Sequence, residues 1–402
     1  MAKILLLICL ISLNIYNPYS VLSSLIVNAL ILFFISFKGG FTNRLTKIQK
    51  KAILLSFGIF LWSLIVSVVN NNFDAYVLGK FFRVFVSSGF LCFILNNFDF
   101  KRKQLITALI FSLLLNTIVV YIQHYFPGTK ELFMPVSGFV KKIGEFRSFG
   151  LFSSYDSTGL ITCVLMLVLW SNYMLNKSVL NLILYFLTFF STVYISRVSM
   201  LMAVLVFLIS ARQFYIQRGM FFVKYFIFSP VLLYAGYKIG MLIYNLVLSS
   251  LDKSKVSEIN YSYSTNSFDI LLNEMIFFPD NIFSFLIGEG INMKYSDIGY
   301  IKIIFMIGFL GLLMITFYYF RLFQLFRIKY IKYRLGELEV FKRDYLLLLN
   351  VLILMFLFNS KLLLLYSRGF NELFLILLLS NEKFIKNYSS LDYTKNFFKS
   401  RN

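Results

Sequence analysis

Residues 52–69 read AILLSFGIFLWSLIVSVV, eighteen residues without a charge, close to the ~20 an α-helix needs to cross the hydrocarbon core of a bilayer. The run does not alternate as a strand of a membrane barrel would. Working outward, similar runs sit near 4–17, 20–37, 82–97, 104–126, 158–175, 179–195, 199–211, 225–247, 298–320, 345–366 and 369–380. The whole composition agrees. Of 402 residues 59% are apolar and 14% charged, against roughly 45–50% and 25% in a soluble domain, and the mean hydropathy is +0.77. A soluble fold is excluded. The expectation is an all-α, polytopic integral membrane protein of about twelve transmembrane helices. The first run is short enough to pass for a signal peptide. Asn17-Pro18-Tyr19-Ser20 offers no small-x-small cleavage site, however, and a second span follows at once, so the pair reads as a membrane hairpin.

The net charge of +21 would suggest nucleic acid in a soluble protein, but here its distribution between loops is what informs. With both termini cytoplasmic, 25 of the 39 Lys and Arg fall in inner segments, clustered in 38–51, 101–103, 321–344 and the tail 381–402. That is the positive-inside pattern, and no nucleic-acid partner is implied. Cys9, Cys92 and Cys163 all lie inside apolar runs, so neither a disulfide framework nor a thiolate metal site is expected. One histidine, His124, excludes multi-His metal chemistry.

No repeat, soluble domain or Pro/Gly-rich linker divides the chain, which reads as one integral membrane domain over 1–402. Two outer segments are long enough to carry function, 127–157 and 248–297. In the second, Phe268, Leu271, Leu272, Met275 and Ile276 fall at helical spacing, with Asn266 or Ser267 to cap the start and Pro279 to close the end. The pattern fits an amphipathic helix on the outer membrane surface, or one that plugs the bundle.

An ionisable group at membrane depth is costly, so those that break the apolar runs on the outer side are the functional candidates. They are mostly cations: Lys80, Arg83, Arg147, Arg197, Lys361 and Arg368. Each alone fits headgroup snorkelling or a structural ion pair; as a set on one face they argue for an anionic ligand. Lys361, Leu365, Arg368 and Glu372 would share a stripe if their helix were continuous, letting Arg368 pair with Glu372. Lys238 and Lys302 are further intramembrane cations. Guanidinium groups grip phosphate oxygens in bidentate fashion and stay charged at any working pH, so a lipid-linked diphosphate fits such a site. There is no Asp-x-Asp, Walker loop, Gly-x-Gly-x-x-Gly, nucleophile elbow or His-Glu-x-x-His, which removes support from ATP, nicotinamide and catalytic-metal readings.

Several short motifs then fall into order. They are Arg147-Ser-Phe-Gly150-Leu-Phe152; Asp156-Ser-Thr-Gly159 at a span start; Ile195-Ser196-Arg197; Gly288-Glu-Gly290; and Asp297-Ile-Gly-Tyr300 leading into a span with Gly308 and Gly311. With Gln123 near the outer end of the fifth span, this combination resembles the O-antigen polymerase and O-antigen ligase superfamily, over roughly residues 80–380. The resemblance implies a GT-C-like membrane glycosyltransferase of the Wzy polymerase type on the outer face of the bacterial inner membrane. Such an enzyme uses no cofactor and no metal. The implied partners are an undecaprenyl-diphosphate-linked oligosaccharide, membrane lipids and a chain-length regulator protein. Arg147 and Arg197 would then be catalytic, and Lys80, Arg83, Gln123, Gly150, Tyr300, Lys361 and Arg368 would bind the diphosphate or substrate. A ligase that passes the same donor to lipid A core, and a flippase for the lipid-linked glycan, are the competing readings; twelve spans and buried cations suit a carrier as well, but related halves are lacking.

The diphosphate is already a good leaving group, so catalysis chiefly needs cations where negative charge grows, and a base for the acceptor hydroxyl. Asp297 is the candidate base, three residues before Tyr300, with Glu289 and Asp156 as alternatives; Asp297 also suits the N-cap of the next span. Relatives often carry a histidine near this place and an arginine at the start of the loop helix, where this chain has Ser267-Phe268; Lys253 or Lys255 are the substitutes at hand. His124 reads as packed and neutral or as sugar-binding, and Tyr261, Tyr263 and Tyr295 as interfacial anchors or sugar-stacking rings.

Overall fold

The computed structural model describes residues 2–16, 26, 28–33, 45–97, 102–137, 147–152, 154–218, 276–293, 298–333, 339–360, 363, 365–366 and 369–380. Among them there is no strand. The helices are α1 (Ala2–Tyr16), α2 (Lys47–Val69), α3 (Ala75–Asn97), α4 (Arg102–Tyr125), α5 (Thr129–Ser137), α6 (Tyr155–Asn176), α7 (Val179–Ser191), α8 (Arg197–Arg218), α9 (Ile282–Ile287), α10 (Gly299–Tyr333) and α11 (Glu339–Asn359), followed by α12 (Phe370–Ser380). Among the described residues, five stretches are long and apolar enough to cross a membrane: α2, α3, α4, α6 and Gly299–Arg327 of α10. The chain divides into two units, residues 1–204 with 278–402, and residues 205–277. Everything below concerns the first.

Local chemistry sets the turns between helices. Thr46 and Gln49 form a reciprocal capping box that starts α2. Asn71, at φ 49°, turns the chain after α2, and the Asp74 carboxylate accepts the Tyr76 N–H at 2.8 Å to open α3. The resulting hairpin packs on itself, and α2 also packs on α10. Further contacts join α6 to α7, α4 and α11, and α1 to α4. The α6 helix is buried along nearly its whole length, so it is the central post of the bundle.

The α10 helix is broken at Gly308, whose φ of 74° and ψ of 175° no helix accommodates. The break admits the backbone of residues 286–288: a Cβ on Gly308 would lie 2.2 Å from the Leu286 carbonyl oxygen, and one on Gly288 would lie 2.4 Å from the Gly308 nitrogen. Carbonyls freed inside an apolar bundle need donors. The Trp62 indole N–H donates to the Ile307 oxygen at 2.8 Å, and the Glu289 N–H to the Phe305 oxygen at 2.8 Å. Asn70 donates to the Gly288 oxygen at 3.0 Å, and Asp74 accepts the Asn292 N–H at 3.1 Å. Trp62→Phe keeps an aromatic ring but removes the indole N–H and orphans the Ile307 carbonyl, so it is expected to cost at least ~1–3 kcal/mol. Thermal unfolding of the purified protein in detergent reads this as a lowered midpoint; an unchanged midpoint would remove Trp62 from the kink.

Most expected spans coincide with helices. The run 20–37 is helical at 28–33 within its described part; 225–247, the loop helix at 268–276 apart from Ile276, Tyr261, Tyr263, Lys238, Lys253 and Lys255 lie outside the described residues. One expectation fails. The span over 345–366 ends at Asn359, and the chain turns through Tyr366 (φ 55°) and Gly369 (φ 81°) before α12 begins. No continuous helix therefore carries Lys361, Leu365, Arg368 and Glu372 on one stripe. At the other end of α11, Asp344 is fully buried and ion-paired with Arg102. Arg102→Met strands that carboxylate and is expected to cost ~3–5 kcal/mol; adding Asp344→Leu should restore most of the lost unfolding temperature. A double variant as unstable as the single one would contradict this account of the pair.

Candidate functional site

Residues 147–152 form a turn that the surrounding helices hold on every side. The Gln123 amide takes both backbone groups of Gly150, accepting its N–H at 2.9 Å and donating to its oxygen at 3.0 Å. Asn116 accepts the Leu151 N–H at 2.9 Å, the Thr158 hydroxyl donates to the Phe149 oxygen, and the Ser148 N–H donates to the Tyr194 oxygen at 2.8 Å. Gly150 sits at φ +61° with the Asn116 oxygen 2.3 Å from where a Cβ would be, so only glycine fits this turn. The consequence is a rigid platform with Arg147 exposed at its edge, its guanidinium over the Tyr155 ring at 5.8 Å.

The motifs at 156–159 and 195–197 meet. Ser196, just before α8, donates its hydroxyl to Asp156 at 3.1 Å and lies 2.7 Å from the Ser199 hydroxyl. Gly159 is where the two helices touch, since a Cβ there would strike the Ser199 side chain. Arg197 is exposed at the start of α8. At the start of α6, Arg147 thus lies over Tyr155, and Ser196, the residue before Arg197, is bonded to Asp156.

Lys80 and Arg83 lie three residues apart on one face of α3, and Lys302 lies in the first turn of α10. Glu372 is almost fully buried; it accepts the Ser87 hydroxyl at 2.7 Å and the Gly369 N–H at 2.7 Å. On the other side of the same junction Phe370 stacks on Phe152 at 6.0 Å. The start of α12 is therefore wedged between α3 and the 147–152 turn. Asn371 donates to Ser88 at 3.0 Å and accepts from Tyr319 at 3.4 Å, and the Tyr366 hydroxyl donates to the Ser56 oxygen at 3.2 Å, which makes this junction a polar, aromatic knot inside an apolar bundle.

Asp297, Lys361, Arg368 and Tyr295 lie outside the described residues. Gln123 and Tyr300 turn out to be occupied elsewhere. Both ends of the Gln123 amide are spent on Gly150, and the Tyr300 hydroxyl donates to the Phe356 oxygen at 2.7 Å. Both are positioning residues in this arrangement. Of the alternative bases, Asp156 is bonded to Ser196, and burial, followed by the charge of Asp280, pushes the Glu289 carboxyl above its ordinary range.

A feature that composition did not reveal is an aromatic cluster beside Arg147. His124 stacks on Tyr194 with ring centres 3.7 Å apart, and Tyr121 and Tyr125 close round the same ring at 5.8 Å and 6.3 Å. Its signal was the i, i+3, i+4 spacing of Tyr121, His124 and Tyr125, while Tyr194 comes from another helix. Chemically the region joins exposed guanidinium groups, a carboxylate bonded to a serine, and flat rings, the combination that suits an anionic group attached to a sugar. Comparison with protein families, with curated proteins and with solved structures finds no match.

Proposed function

We propose that this protein is a polysaccharide repeat-unit polymerase, a GT-C-like glycosyltransferase of about twelve spans in the bacterial inner membrane, with both termini cytoplasmic and its site on the outer face. It moves a growing glycan from undecaprenyl diphosphate to the sugar end of an incoming lipid-linked unit. The observation that carries this reading is the meeting of the segments that bear Arg147, Asp156 and Ser196-Arg197 at the start of α6, through the Arg147–Tyr155 and Ser196–Asp156 contacts, because these motifs are distant in sequence. Guanidinium groups at that place would stabilise the charge that grows on the departing diphosphate. The aromatic cluster beside them offers a stacking face for a sugar, and the basic inner loops favour this orientation. The base for the acceptor hydroxyl is Asp297, or Glu289, whose raised pKa suits proton uptake better than that of a free carboxylate.

The test is a gel of surface and lipid-linked polysaccharide from a deletion strain and its complemented parent. Collapse of the ladder to one repeat unit on the final acceptor is expected. Long chains that persist on undecaprenyl diphosphate, with bare lipid A core, would replace the polymerase by a ligase; accumulation of lipid-linked units on the inner leaflet would replace it by a flippase.

A further inference from the structure

Asp156 is bonded through one oxygen only. The Ser196 hydroxyl donates to its Oδ1 at 3.1 Å, and Ser196 is itself fixed, since it accepts the Ser199 N–H at 3.2 Å and lies 2.7 Å from the Ser199 hydroxyl. The Oδ2 atom has no hydrogen-bond partner among the described residues, and the side chain is partly exposed. A carboxylate is an acceptor with no donor of its own, so the open oxygen suits an incoming O–H group. The negative charge of Asp156 fits the start of α6, but that leaves the second oxygen unexplained.

The aromatic cluster is tied to the same segment. Tyr194, whose ring stacks on His124 and meets Tyr125, precedes Ser196 by two residues, at most about 7 Å of chain. The Ser148 N–H on the Tyr194 oxygen joins this segment to the turn that begins at Arg147. Tyr125 is 63% exposed and Tyr194 partly so. Anchoring at lipid headgroups accounts for single tyrosines. It does not account for rings stacked on one another, with the Tyr121 hydroxyl donated to the Leu187 oxygen at 2.6 Å, next to a segment that holds a half-used carboxylate.

A flat apolar face near a charged acceptor is what a pyranose ring needs, since its C–H face lies on an aromatic ring while a hydroxyl donates to the carboxylate. We infer that Asp156, Tyr194 and Tyr125 form a sugar subsite in which the Asp156 Oδ2 accepts a hydroxyl of the glycan and so selects among sugars. A site built to bond one hydroxyl rejects an analogue that lacks it far more strongly than an apolar pocket can. Ser196 and Ser199 position the carboxylate. The inference rests on the proposed function only for placing that sugar on a lipid diphosphate.

The test uses the full chain in detergent with the methyl glycosides of glucose, galactose, rhamnose and N-acetylglucosamine, read by saturation-transfer NMR. At least one glycoside is expected to receive saturation on its ring C–H protons. Asp156→Asn keeps an oxygen for the Ser196 hydroxyl but removes the charged acceptor, and Tyr125→Ala removes an exposed ring; each should weaken that binding roughly tenfold. Binding as tight in Asp156→Asn as in the parent would reduce Asp156 to an anchor for Ser196 and overturn the inference. If Asp156→Asn does not fold, Tyr125→Ala decides, because unchanged binding there overturns the inference and a tenfold loss upholds it. Saturation confined to phosphatidylglycerol added to the micelles, with none on any glycoside, would make the cluster a headgroup anchor and also overturn it. The proposed function fails separately: glycoside binding without a ladder from lipid-linked units removes the polymerase and leaves the subsite, whereas a ladder with binding unaltered in both variants does the reverse.

Discussion

Arg197→Ala is expected to abolish polymer, leaving single repeat units on the final acceptor, while the protein still inserts and purifies as the parent does. The two halves of that outcome have separate physical grounds. Arg197 is exposed at the start of α8, so truncating it removes no core packing, and the Ser196–Asp156 and Ser196–Ser199 bonds that fix the helix start do not use its side chain. Loss of one donor aimed at developing charge typically costs ~10²–10³-fold in rate, enough to erase a ladder. Arg147→Ala should behave alike, because the 147–152 turn is held by Gln123, Asn116 and Thr158 rather than by the arginine. Chains of normal length in both variants, measured on gels of extracted polysaccharide, would remove the two arginines from the reaction.

Gly308→Ala is expected to prevent folding almost completely. The residue sits at φ 74°, and the new methyl would lie 2.2 Å from the Leu286 oxygen, an atom of the main chain that no side-chain rotation can move. Positive φ on a non-glycine residue costs of order 1–3 kcal/mol by itself. Relief of the clash must also separate residues 286–288 from the kink, which breaks the Glu289–Phe305 bond and exposes the Ile307 carbonyl held by Trp62. The yield of monodisperse protein in mild detergent should fall at least tenfold relative to the parent. By contrast Gly79→Ala, in open space on α3, should leave the yield unchanged. Equal yields from the two variants would contradict the close approach at Gly308.

The helices were legible because apolar runs near twenty residues have few alternatives in a chain this hydrophobic, and 52–69 is an example whose capping box at Thr46 even marks its start. What went wrong went wrong where backbone conformation overrides pattern. The Lys361–Glu372 stripe was conditional on a continuous helix, and α11 already ends at Asn359, before the left-handed backbone at Tyr366 and Gly369. Gly308 was read as part of a motif, but nothing local in the sequence says that a second backbone, from Gly288, fills the space beside it. Gln123 is a polar residue in an apolar run, and such a residue serves a substrate or a carbonyl equally well until its partner, twenty-seven positions on, is known. Of the candidate site, the motifs at 147, 156 and 196–197 were legible as short motifs, whereas the contacts between them depend on how α6 and α8 pack. The enclosure of the Lys80 ammonium was not legible, since burial of one atom depends on neighbours distant in sequence.

The most direct test of the central claim is made with purified protein in proteoliposomes, supplied only with its strain's undecaprenyl-diphosphate-linked repeat unit and no nucleotide. The account predicts a ladder of lipid-linked oligomers with release of undecaprenyl diphosphate, and no ladder from the Arg147→Ala/Arg197→Ala protein. Single units recovered unchanged from the parent protein, or units merely moved from one leaflet to the other, would contradict it.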